Sequence, residues 1–137
     1  MPISGNLGGF IKPGFNPLGP QTEEFLYGLW AWGDNSNGQL GLGDTATRSS
    51  PVQVGGLTTW AHSASGANFG SAIKNDGTLW SWGENSVGTL GLNNTTAGIY
   101  SPTQVGALTN WSQTATGQYH TLAIKTDGTL WSWGLNT

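Results

Sequence analysis

One octapeptide, Asp-Gly-Thr-Leu-Trp-Ser-Trp-Gly, occurs twice without change, at Asp76 to Gly83 and at Asp127 to Gly134, 51 residues apart. A looser copy, Leu29-Trp30-Ala31-Trp32-Gly33, lies 50 residues before the first. A period near 50 marks an array of supersecondary units. Such units bury their apolar faces against one another rather than in one central core.

Composition narrows the kind of unit. Only 8% of the 137 residues are charged, against ~25% in an ordinary domain. The chain carries 23 Gly and 8 Trp. Many turns and many aromatics point to β-structure wetted by hydroxyls and amides, not to a disordered chain. Net charge is −3, and the cations are Lys12, Arg48, Lys74 and Lys125. Without a basic cluster, a nucleic acid backbone finds little to hold. With no cysteine, disulfides and thiolate metal sites are excluded and the redox compartment stays open. No apolar run reaches the ~18 residues of a helical membrane span. The first residues show no positive n-region and no apolar h-region, so no secretion signal is expected.

Two regions separate. Residues 1–24 contain no repeat. Pro2, Pro13, Pro17 and Pro20 oppose helix and interior strand, yet Ile3, Leu7, Phe10, Ile11, Phe15 and Leu18 are too apolar for an idle linker. The expectation is an extended arm whose apolar residues anchor it on another protein surface. Repeats fill 25–137: a partial copy over 25–33, repeats over 34–83 and 84–134, and the start of another at 135–137.

Aligned copies match at many positions. Trp30, Trp80 and Trp131 correspond, as do Trp32, Trp82 and Trp133. A Gly-x-Asn step follows each pair, at Gly33, Gly83 and Gly134. Gly38-Gln39-Leu40-Gly41-Leu42 matches Gly88-Thr89-Leu90-Gly91-Leu92, and Pro51-Val52-Gln53-Val54 matches Pro102-Thr103-Gln104-Val105. Trp60 matches Trp111, Gly66 matches Gly117, and Ala72-Ile73-Lys74 matches Ala123-Ile124-Lys125. One residue is inserted between Leu92 and Ser101, which marks a loop there.

The Asp-Gly step at Gly77, repeated at Gly128, predicts a hairpin turn between residues 71–74 and 78–82. Period-2 alternation then puts Trp80 and Trp82 on one face, with Leu79 and Ser81 on the other. Residues 52–54 and 60–64 are further strand candidates. No segment carries a helical stripe with caps. The fold class expected is all-β, with four short antiparallel strands per period, the layout of a propeller blade.

The ordered string W-S-W-G-x-N-x-x-G-x-L-G-L, then P-x-Q-V, then G-x-x-H-T-x-A-I-K-x-D-G resembles the repeat of the regulator of chromosome condensation family. The resemblance covers residues 25–137 and implies blades of a seven-bladed β-propeller. The family His stands at His120, but Phe69 occupies its place one repeat earlier. Two complete periods are fewer than seven blades. The expectations are that this is part of a longer polypeptide, that several chains share a ring, or that the blades dock on a foreign surface. The first is preferred.

No catalytic constellation stands out. His120 could be set beside Asp127 and a serine, but Asp127 belongs to the turn and its counterpart Asp76 has no matching His. There is no nucleophile elbow, no Lys-Ser/Thr after the glycines of 38–43 and no calcium loop. Asn93-Asn94-Thr95 and Asn110-Trp111-Ser112 match the glycosylation pattern by composition alone. No enzyme activity, cofactor or metal is expected. The expected role is a structural or adhesive component of a large assembly, a phage tail or capsid-surface protein held by its arm, on a virion or extracellular surface. Its partners would be other subunits, with a host protein or glycan as a further possibility through exposed Trp, and oligomeric assembly is expected. The alternative is a propeller-type protein-binding module, an inhibitor or regulator.

Overall fold

The Asp-Gly turn sets the strand phase. Gly77 and Gly128 adopt φ of 81° and 85°, a region that L side chains enter only with strain. Each closes a hairpin in which the glycine N–H donates to the carbonyl of Lys74 or Lys125. The computed structural model describes residues 26–137. The anchoring residues Ile3, Leu7, Phe10, Ile11, Phe15 and Leu18, and the arm they belong to, lie outside the described residues.

Nine antiparallel strands and no helix occur among the described residues. They are β1 (Trp30–Gly33), β2 (Arg48–Gln53), β3 (Trp60–Ser65), β4 (Phe69–Lys74), β5 (Leu79–Gly83), β6 (Ile99–Gln104), β7 (Trp111–Thr116), β8 (His120–Lys125) and β9 (Leu130–Gly134). Three sheets result, in the orders β1-β2, β3-β4-β5-β6 and β7-β8-β9. The middle sheet is one full four-stranded propeller blade, and its neighbours show the same layout with two and three strands among the described residues. The two hairpins share one register: Ala72 faces Trp80 and Ile73 faces Leu79, as Ala123 faces Trp131 and Ile124 faces Leu130.

Repeat and sheet are out of phase. Residues 34–83 hold β2 of the first sheet and β3, β4 and β5 of the second. Residues 84–134 hold β6 of the second and all three strands of the third. Each repeat therefore staples two neighbouring sheets through the covalent chain. Pro51 and Pro102 fall inside β2 and β6, which pair on one side only. An outer strand tolerates a residue that cannot donate.

The core lies between sheets, as repeat architecture requires. Leu29 packs on Trp60, Ala72 and Trp82 at the first junction. Ile73, Leu79 and Val105 pack on Trp111 and Ala123, with Trp133 alongside, at the second. The predicted alternation thus has a direction: Leu79 faces the following sheet and Trp82 the preceding one. Leu79 is 0% exposed, whereas Leu130, the same residue of the second octapeptide, is 64% exposed.

Candidate partner-binding surface

Every residue of the first octapeptide has an assignable task. The Asp76 carboxylate accepts from the Thr78 backbone N–H at 3.0 Å and its hydroxyl at 2.6 Å. These bonds, helped by the nearby Lys74 charge, hold the Asp76 carboxyl below its ordinary value. The Thr78 hydroxyl in turn accepts from Trp80 Nε1 at 2.8 Å. A side chain on Gly77 would strike the Thr109 carbonyl, so the turn backbone abuts the next blade. The Gly77 carbonyl also accepts from the Trp111 N–H at 3.0 Å. Ser81 donates to the Leu90 carbonyl at 2.8 Å. Trp82 donates to the Gln39 carbonyl at 2.8 Å and covers Gly41 and Gly70, where a Cβ would clash. At Gly83, φ is 104° and a Cβ would meet Asn68 and Phe69.

The second octapeptide keeps only part of this. Asp127, Thr129 and Trp131 repeat the hydrogen-bond chain, and Trp133 donates to the Thr89 carbonyl at 3.0 Å. Gly128, by contrast, has no atom within 4 Å of an added Cβ.

Two asparagines carry more than the sequence reading gave them. Asn35 and Asn85 are fully buried. The Asn35 amide donates to the Asp44 carbonyl at 2.9 Å and accepts from the Leu40 N–H at 2.9 Å. Asn85 does the same with Asn94 and Leu90, at 2.9 and 3.0 Å. Each amide ties the two ends of a long loop to its middle. That loop supplies the carbonyl bonded by the next Trp. The recurring Gly-x-Asn step was the visible signal.

Beside each junction is a cleft. The first, of about 480 Å³, is lined by Trp60, Trp80, Lys74 and Arg48, with Val54 and Leu57 among its apolar walls. Lys74 Nζ lies 3.7 Å from the Trp80 ring centre, and Arg48 is paired with Asp44 at 2.7 Å. Trp60 stacks edge-on against Trp80 and Trp82. The second cleft, of about 590 Å³, is lined by Trp111, Trp131, Trp133 and Val105, with Asn93 and Asn94. Lys125 Nζ lies 3.9 Å from the Trp131 ring centre. The buried indole N–H groups of Trp60 and Trp111 have no hydrogen-bond partner among the described residues.

The remaining candidates do not converge. His120 is exposed at the head of β8, and its ring lies over Gly117 as the buried Phe69 ring lies over Gly66. Asp127 stands beyond the other end of β8, roughly 20 Å away at ~3.3 Å per residue. Its carboxylate is engaged by Thr129. Trp30 and Trp32 are more than half exposed on β1. No group of acidic, His or Cys side chains suited to a metal ion occurs among the described residues.

Antiparallel sheets stacked through Trp-bearing faces define a β-propeller repeat protein. The profile of the regulator of chromosome condensation (RCC1) repeat matches residues 28–73 and 76–124. The chain belongs to that repeat family. Among solved structures it is similar to human WBSCR16, with a TM-score of 0.72 and 23% identity over 80% of this chain and 29% of that one. It is also similar to yeast RCC1 (Prp20) bound to Kap60, with a TM-score of 0.69 and 24% identity over 78% and 28%. Saccharomyces cerevisiae Prp20p, described with its binding to Gsp1p and histones, matches with a TM-score of 0.66 and 29% identity over 77% and 26%. The chain spans less than a third of the length of these proteins.

Proposed function

We propose that this chain is a non-enzymatic protein-binding module that grips a protein partner at its junction clefts. The recurrence of an aromatic cleft at both junctions carries this reading. Trp and Arg are the side chains most often found as interface hot spots, and the first cleft combines Trp60, Trp80 and Arg48 with an exposed Leu57. The similarity to Prp20p, which binds Gsp1p and histones, favours a protein as the occupant. The test is affinity capture with the intact chain and with Leu57→Asp and Arg48→Glu. One stoichiometric partner held by the wild type and lost in both variants is expected. Equal capture by all three would contradict the reading.

The division into an arm over 1–24 and repeats over 25–137 belongs to the same proposal. A phage virion component on a virion or extracellular surface, anchored by that arm and reaching a host protein or glycan, remains a reading of composition alone. Deleting residues 1–24 separates the two: a binding module keeps its partner, whereas an anchored component loses its assembly.

A further inference from the structure

The first cleft lies inside the array. Its walls are β2 with the segment after it, and residues from all four strands of the middle sheet: Trp60, Lys74, Trp80 and Pro102. At the second junction the preceding sheet has four strands, and it still lines the cleft only with residues from 88–95 and Val105. The first two strands of that sheet line none of it. Charge in the first cleft is one-sided, since its charged lining residues are Lys74 and Arg48. Arg48 is held by Asp44 and donates to the Ala46 carbonyl. Lys74 stands across from Trp60 in the β3–β4 register. Its Nζ rests 3.7 Å from the Trp80 ring centre and 5.1 Å from that of Trp60. It makes no side-chain hydrogen bond or ion pair with another described residue, and the carboxylate of Asp76 is engaged by Thr78. An ammonium has three N–H donors, and a ring face engages one side of it. The indole N–H of Trp60, buried in the same wall, also lacks an acceptor among the described residues. Buried donors seldom go without one.

We propose that the first cleft takes a segment of a protein partner that carries a carboxylate side chain between apolar ones. The carboxylate sits on Lys74 Nζ, and the apolar side chains lie on Val52, Leu57 and Pro102. This rests on the protein-binding reading above and adds the chemistry of the bound segment. Charge complementarity selects the occupant: a cation with unmet donors beside an indole N–H calls for an anionic acceptor. Carboxylate fits better than phosphate. Phosphate sites gather Arg forks or runs of backbone N–H groups, whereas here Arg48 is engaged by Asp44 and one Lys is left. Leu57 is 49% exposed at the rim, where an incoming apolar side chain covers it. A volume of about 480 Å³ is that of a small-ligand pocket, room for a few side chains rather than a folded surface.

The test is two-dimensional NMR of the intact chain, read at the Trp60 indole N–H and the Lys74 amide. The probes are two capped pentapeptides, Ala-Leu-Glu-Leu-Ala and its isostere Ala-Leu-Gln-Leu-Ala. The Glu peptide is expected to shift both signals saturably. The Gln peptide is expected to bind about tenfold more weakly, for want of one charged hydrogen bond. Lys74→Met is expected to bind the two peptides alike. Lys74→Arg keeps a cation that stacks on Trp and is expected to retain the preference for Glu. Circular dichroism checks that both variants keep their sheet signal. Peptides that bind the wild type alike, binding of neither, or a preference that survives in Lys74→Met overturns the proposal. So does inorganic phosphate that shifts the two signals where the Glu peptide does not. Affinity capture keeps the two readings apart: a partner lost in Leu57→Asp, with both peptides bound alike, leaves a protein-binding cleft and removes its carboxylate preference.

Discussion

Gly77 and Gly128 hold the same place in identical octapeptides, with almost the same φ, but their surroundings differ. At Gly77 a Cβ would strike the Thr109 carbonyl, while at Gly128 it would meet open space. Gly128→Ala should therefore cost only the left-handed strain, about 1–2 kcal/mol. Gly77→Ala should cost more, because the next blade must also move. Urea denaturation of the two variants checks the order. The turn carboxylates give a second expectation. Asp76 and Asp127 have folded pKa values lowered by the Thr78 and Thr129 bonds, and Asp34, Asp44 and Glu84 are lowered by bonds of their own. A lowered folded pKa gives stability that is full above the unfolded value, near ~4, and is lost as pH falls through the folded value. Stability should thus stay level from neutrality to about pH 4 and drop below it. Asp76→Asn, followed by denaturation across that range, should show a shallower acid limb.

At the scale of elements, the hairpin and its flanking strands were legible because period-2 alternation and an Asp-Gly step are local signals. The predicted strand at 78–82 and the observed β5 differ by one residue at each end. The outer strands were less legible. β2 begins at Arg48 and β6 at Ile99, ahead of the 52–54 segment, because Pro51 interrupts any strand pattern. These strands bond on one side only, so the interruption is tolerated. Asn35 and Asn85 show a different limit. Their recurrence was visible, but their main partners are backbone carbonyls nine residues away, and a carbonyl leaves no mark in a sequence. The same holds for the Gln39 and Thr89 carbonyls that fix Trp82 and Trp133.

For the molecule as a whole, the sequence disclosed the array and its period, but not the phase of sheets against repeats. That phase depends on which strands bond across a loop, and it gives sheets of two, four and three strands among the described residues. The clefts were legible only as a surplus of Trp, since their shape arises between sheets. In the described chain identical octapeptides occupy different situations: Leu79 is buried against the sheet that follows it, and Leu130 is exposed. Amide hydrogen exchange on residues 79–83 and 130–134, measured at high dilution, tests it most directly. β5 is bonded on both sides while β9 is bonded to β8 alone. Exchange should therefore be much slower across 79–83 than across 130–134. Equal protection of the two segments would contradict the account.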